Sequence, residues 1–269
     1  MASSVPLIDA RPANRRSQEP SAIEAHWLGR VPYREAWDLQ RALAAARADD
    51  RIGDQLLLLE HPAVLTLGRH ADESHVLAPA DELARRGIEV LRVERGGEVT
   101  YHGPGQLVAY PILALAERGL LLRPLVRALE GAMADTCAAL GVAAAGRRDG
   151  HPGCWVDPDG LQPRKIGALG VRVERGVTYH GIALNVNPDL RDFELIDPCG
   201  MPGVPSTSIA AEAGRPGEPP STAAVAGAAA HFAGSLAARL DATVAGFPNR
   251  VADPAAARAD LDRLLRVAV

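Results

Sequence analysis

The chain has 269 residues, 47% of them hydrophobic, with 29 basic and 33 acidic side chains for a formal net charge of -4. That is ample material for a core and lacks the basic excess of a nucleic-acid binder, so an acidic protein partner would need a local basic patch. Three cysteines, Cys137, Cys154 and Cys199, form no C-x-x-C pair, which argues against a disulfide framework and a structural zinc site and for a reducing compartment.

Residues 1–20 (MASSVPLIDARPANRRSQEP) lack the apolar core of a secretory signal, and no apolar run reaches the length of a membrane span. The expectation is a disordered tail on a cytoplasmic protein that binds neither membrane nor nucleic acid. A first strand is predicted at 22–28, followed by a helix opened by Pro32 with Tyr33, Trp37, Leu43 and Ala44 at helical spacing. Residues 54–60 (DQLLLLE) read as a strand buried on both faces, broken by His61-Pro62, after which 64–69 (VLTLGR) leads out through a glycine. A short helix at 81–86 stops at Gly87, and 88–93 alternates as a strand.

A glycine-dense stretch, R-G-G-E-V-T-Y-H-G-P-G-Q-L-V-A-Y-P (95–111), comes next. Residues 123–140 form the clearest helix, with Pro124 in its first turn and Gly141 after its end. Leu125, Leu129, Met133, Cys137 and Leu140 share one face, which puts Cys137 in the core. Cys154 alternates with Val156 against Trp155 and reads as a strand residue without chemistry. Residues 201–221, rich in Pro, Gly and Ser, read as loop. A helix returns at 221–240 with Val225, Phe232, Leu236 and Leu240 on one face, and Asp253-Pro254 caps a last amphipathic helix using Leu261, Leu264 and Leu265. Nothing between 21 and 245 calls for a second compact domain, and 246–269 is expected to be a C-terminal tail carrying that short helix.

Lys165 stands at the head of a glycine-punctuated hairpin, R-K-I-G-A-L-G-V-R-V-E-R-G-V-T-Y-H-G-I-A-L-N-V-N-P, and Cys199 follows in I-D-P-C-G. A thiol between Pro and Gly sits on a constrained turn and is a candidate nucleophile. The alternative is a small core residue. A free thiol with a pKa of about 8.5 is only about 3% thiolate at pH 7. An ammonium about 4 Å away, at an effective dielectric of about 20, contributes roughly 4 kcal/mol and would make the thiolate the major form. Lysine can also give up its proton when partly desolvated, so Cys199 and Lys165 suit acyl transfer from a thioester or ester.

Competing chemistries are less well served. The eight histidines are scattered without H-E-x-x-H spacing, Gly96-Gly97 lacks the G-K-[ST] of a P-loop, and no G-x-G-x-x-G follows a strand. A Cys/His pairing stays open by residue type, although neither protease signature surrounds Cys199. One internal echo remains, V-T-Y-H-G at 99–103 and again at 177–181. Either two strands line one pocket, or two Thr/Tyr-rich strands are alike by chance.

Taken together, 95–110, the Lys165 hairpin and P-C-G resemble the lipoyl(octanoyl) transferase family, the octanoyl-acyl carrier protein:protein N-octanoyltransferases. The pattern R-G-G-x-x-T-x-H-x-x-G-Q-x-x-x-Y is met by Arg95, Gly96, Gly97, Thr100, His102, Gly105, Gln106 and Tyr110, and the likeness runs from Glu60-His61-Pro62 through Glu212. It implies a single α/β domain like the biotin and lipoate protein ligases, a central mixed sheet with flanking helices. It further implies Cys199 as the acylated thiol and Lys165 as its activator. An acyl pocket would be lined by Arg95, Gly96, Gly97, Glu98, Val99, Thr100, Tyr101 and His102, by Ala168, Leu169 and Gly170, and by Gly181, Ile182 and Ala183, the small residues leaving room for an eight-carbon chain.

The partners implied are octanoyl-acyl carrier protein as donor, and as acceptors the lipoyl domains of 2-oxoacid dehydrogenase complexes and the glycine cleavage H protein. No cofactor or metal is required. Cys154 departs from the family pattern, where a non-cysteine apolar residue is expected. Two rivals remain: an ATP-dependent lipoate or biotin ligase of the same fold, and a non-catalytic module that binds acyl carriers. Neither needs both Cys199 and Lys165.

Overall fold

Strand β1 (Ser21–Arg30) opens the computed structural model, which describes residues 21–197, 203–246 and 254–268. The expected tail at 1–20, Cys199 and the capping Asp253 lie outside the described residues. Helix α1 (Tyr33–Ala48) follows Pro32, and β2 (Gln55–Glu60) is buried along its whole length. His61-Pro62 ends β2 as expected and also hands the chain to a second sheet through β3 (Val64–Leu67), α2 (Ala80–Arg85), β4 (Glu89–Arg92) and β5 (Val99–His102). The chain then returns through β6 (Gln106–Ile112), α3 (Leu122–Ala139), β7 (Ala145–Arg148), β8 (His151–Val156), β9 (Arg164–Glu174) and β10 (Val177–Asn185). A four-residue helix, α4 (Ile209–Glu212), capped by the Ser208 hydroxyl, interrupts the expected 201–221 loop before α5 (Thr222–Arg239), β11 (Ala242–Ala245) and α6 (Pro254–Ala268).

The large sheet has the order β11-β1-β2-β6-β10-β9-β8-β7, parallel among its first three strands and antiparallel beyond; the small sheet has the order β4-β3-β5. Side chains alternate between faces along a strand, which sorts the central strands between two cores. Leu56 and Leu58 of β2, Leu107 and Ala109 of β6, and Ile182 and Leu184 of β10 pack with Leu129, Met133 and Cys137 of α3 and Phe232 and Leu236 of α5. Leu57, Leu59, Val108, Tyr110, Tyr179 and Ala183 face the other way, toward Leu39 and Leu43 of α1 and Leu261 and Leu264 of α6. The C-terminal helix, expected on a tail, thus belongs to the same three-layer α/β/α stack. Among the described residues no helix is long and apolar enough to cross a membrane.

Candidate active site

A narrow cleft opens where the small sheet leans on β9 and β10. About 40 Å³ of it admits water, within about 440 Å³ of empty space counted out to its mouth. Its shape is that of a slot. The lining comes from the R-G-G segment (Arg95, Gly97, Glu98), from β5 (Thr100, His102), from β9 (Ala168, Leu169, Gly170) and from β10 (His180, Gly181, Ile182, Ala183), closed by Tyr33 and Tyr110. The two V-T-Y-H-G segments therefore border one cavity, as the first reading of the echo has it, although they sit in different sheets.

Not every residue of the implied pocket faces it. Val99 and Tyr101 alternate to the opposite side of β5 and pack with Leu65, Leu83, Phe193 and Leu195, the Tyr101 hydroxyl donating to Asp192 at 2.6 Å. Gly96 contributes backbone: a Cβ on Gly170 would lie 2.6 Å from the Gly96 carbonyl oxygen, so Gly170 lets the R-G-G loop close over β9. A Cβ on Gly181 would lie 2.0 Å from the Ala109 carbonyl oxygen. Both glycines border the cleft and also permit close backbone approach. Gly181→Ala is accordingly expected to destabilise the fold by about 1–3 kcal/mol, the range of an overpacked core, read as a lower urea midpoint; an unchanged midpoint contradicts the packing role.

Beneath the cleft a buried hydrogen-bond chain links the two sheets. Arg95 donates to the Thr66 hydroxyl oxygen from Nε at 3.1 Å and Nη2 at 2.9 Å, and to the Thr66 carbonyl at 2.6 Å. The Thr66 hydroxyl proton is then left for His102 Nε2 at 3.4 Å, while His102 Nδ1–H donates to Gln106 Oε1 at 2.8 Å. That tautomer follows because the Gln106 amide nitrogen donates elsewhere, to Asn185 Oδ1 at 2.9 Å and the Tyr101 carbonyl at 3.2 Å. His61 is likewise engaged at both nitrogens, by the Val31 carbonyl and the Tyr110 hydroxyl, each at 2.7 Å. Burial holds His61 neutral down to about 4 and His102 well below its ordinary range, so both imidazoles are structural members of the floor.

Lys165 is 6% exposed and lies on β9 three residues before Ala168. A strap that begins at Gly203 docks on its backbone: Lys165 N–H donates to the Pro205 carbonyl and Thr207 N–H donates to the Lys165 carbonyl, both at 2.9 Å. Asn185 Nδ2 holds the Thr207 carbonyl at 2.9 Å, the Thr207 hydroxyl donates to Glu212, and Glu212 grips Arg164 through two bonds of 2.7 and 2.9 Å. The hydrogen-bond chain that begins at Arg95 thus ends on the strap. The Lys165 ammonium lies 5.2 Å from the Trp155 ring centre, within cation–π reach. Gly153, at φ +127°, leaves space there, since a Cβ would come within 3.2 Å of Lys165 Cε.

Cys137 and Cys154 are fully buried free thiols, and contact with Cys137, together with burial, pushes the Cys154 thiol well up. Neither borders the cleft. The sequence reading left Tyr33, Tyr110 and His180 out of the lining, although Tyr110 closes the R-G-G pattern and His180 repeats His102 in the echo. Another signal lay in the composition: Lys165 is the chain's single lysine, against 28 arginines. Lysine differs from arginine in being able to release a proton near neutral pH.

Helical layers on both faces of a mixed sheet, with a cleft bordered by β9 and β10 and a buried lysine on β9, define the α/β fold of the lipoate protein ligases. A putative lipoate protein ligase from T. acidophilum, solved with bound lipoic acid, superposes with a TM-score of 0.61 at 15% identity, over 89% of this chain and 95% of that one. Residues 32–231 match the lipoyl protein ligase A/B catalytic domain, and the chain belongs to that family. Its similarity to an octanoyltransferase of Acidobacterium capsulatum is 51% identity over 193 residues, covering 69% of this chain and 78% of the relative. For an octanoyltransferase of Corynebacterium efficiens it is 45% over 211 residues, covering 78% and 80%.

Proposed function

We propose that this protein transfers an octanoyl group from the phosphopantetheine thioester of acyl carrier protein to the ε-amine of a lysine on lipoyl domains, by way of a thioester on Cys199. The observation that carries the reading is the 51% and 45% identity to two octanoyltransferases, over 69% and 78% of the chain. The single lysine, held at the strap that follows the Cys199 segment, supports the chemical assignment.

In the first step the Cys199 thiolate attacks the thioester carbonyl, the carrier thiol leaves, and Lys165 gives it a proton. In the second, the acceptor amine attacks the Cys199 thioester, neutral Lys165 takes the amine proton, and the thiolate is released as the amide forms. Thioester to amide is downhill, so no nucleotide enters. The apolar slot takes the hydrocarbon chain, with Ala168, Leu169, Ile182 and Ala183 along it. Acceptors would include lipoyl domains of 2-oxoacid dehydrogenase complexes and the glycine cleavage H protein, in the cytoplasm.

Intact mass after incubation with octanoyl-acyl carrier protein and no nucleotide is the test. One octanoyl group is expected, removable by hydroxylamine, absent in Cys199→Ser and present in Cys137→Ser and Cys154→Ser. Strict dependence on ATP would favour a ligase, and labelling of Cys137 or Cys154 would overturn the nucleophile.

A further inference from the structure

Lys165 stands at an irregularity in the sheet. Cys154 of β8 pairs with Gly167 of β9, yet the next residue, Trp155, pairs with Lys165, so Ile166 is the extra residue of a β-bulge. In an unbroken register Trp155 would stand opposite Ile166, and Lys165 opposite Val156. The bulge instead sets the indole and the lysine directly across from one another, where side chains share a face, and Ile166 joins Cys154 in the core. Gly153 permits this: at φ +127° it takes a conformation open to glycine, and a Cβ there would lie 2.5 Å from the Gly167 carbonyl oxygen. Its N–H donates to Glu130 Oε1 at 3.0 Å, and Glu130 pairs with Arg147.

The indole is fixed in turn. Trp155 is fully buried, its Nε1–H donates to the His151 carbonyl at 3.0 Å, and the His151 ring meets it edge-on at 5.9 Å between centres. With its polar edge satisfied, the ring offers its negative face to two cations, Lys165 Nζ and Arg148 Cζ, each 5.2 Å from its centre. Arg148 stays charged throughout, so of the two only Lys165 can exchange a proton in the reaction proposed above. Its side chain is long and flexible, and a desolvated cation–π contact favours one seat for the ammonium by a factor of about 30.

We propose that Trp155 is a positioning residue, whose indole face holds the Lys165 ammonium where it activates Cys199 and protonates the leaving thiol; this rests on the Cys199–Lys165 reading above. The attraction acts on the ammonium, the form that the first step requires. Without the indole the cation is no longer confined to one place, its average attraction for the thiolate weakens, and the thiolate is less favoured.

The test measures the pH midpoint for alkylation of Cys199 beside octanoyl transfer. In Trp155→Leu the midpoint is expected to rise by about one pH unit toward that of Lys165→Ala, and transfer to fall about tenfold. Trp155→Phe keeps a π face and should retain most of the parental values. Trp155→Leu placed in the Lys165→Ala background is expected to add nothing, since a seat without its lysine has nothing to hold, whereas a general disturbance of the fold would add its own shift. Where the leucine variant does not fold, judged by circular dichroism, parent protein made with fluorinated tryptophans takes its place. Fluorine weakens the ring's negative face with little change of shape, so the midpoint should rise with the number of fluorines, and should not do so in Lys165→Ala protein made the same way. A parental midpoint in the folded leucine variant or in the fluorinated protein, or an equal shift without Lys165, overturns the positioning role while leaving octanoyl transfer standing. A parent that takes up no octanoyl group overturns the acyl-transfer reading itself, and the positioning role with it.

Discussion

Lys165→Ala is expected to lower octanoyl transfer by about 10²–10⁴-fold, the range of a lost general acid–base group, and to raise the pH midpoint for alkylation of Cys199. In the parent that midpoint should lie well below the ordinary thiol value of about 8.5. Lys165→Arg keeps a cation at the strap and should preserve most of the lowered midpoint, yet lose transfer almost as fully, because guanidinium does not give up a proton to serve as base for the incoming amine. A midpoint unchanged in Lys165→Ala would break the proposed pair and send the search for an activator elsewhere in the cleft.

Acid should destabilise this protein before its carboxylates titrate. His61 and His180 are held by burial at about 4, against an ordinary value of 6.5, and His102 is lowered in the same direction. Between those limits the unfolded chain binds protons that the folded one refuses, so stability is full above about 6.5 and falls as pH drops toward 4. At about 1.4 kcal/mol per pH unit for each group, His61 and His180 together take away on the order of 4 kcal/mol between pH 7.5 and 5. That is a large part of a typical 5–15 kcal/mol. The measurement is the urea midpoint at the two pH values, in the parent and in His61→Gln. A parent midpoint that does not move would mean that these imidazoles are charged or hydrated in the fold, contrary to their burial.

Much of the site could be read along the chain, and the reasons are local. The 2.0- and 3.6-residue periods placed most of the strands and helices to within a residue or two, because burying one face of each requires them. Cys137 could be assigned to the core from helical spacing alone, and the echo of V-T-Y-H-G pointed to a shared cavity because like strand segments present like groups. What remained out of reach depended on which strands become neighbours. Val99 and Tyr101 face away from the cleft because β5 joins the small sheet and turns its odd residues to that core. Gly170 and Gly181 border the cleft, and the close approach of the Gly96 and Ala109 carbonyls to them could be read only from the fold. The relay from Arg95 through His102, Gln106 and Asn185 to Thr207 joins residues more than a hundred positions apart, and α6 belongs to the core only because β1 and α1 offer it an apolar face. Sequence determines what each segment must bury and what its side chains can do; which backbone approaches which, and so which groups meet in the slot, is decided by the order of strands in the folded sheet.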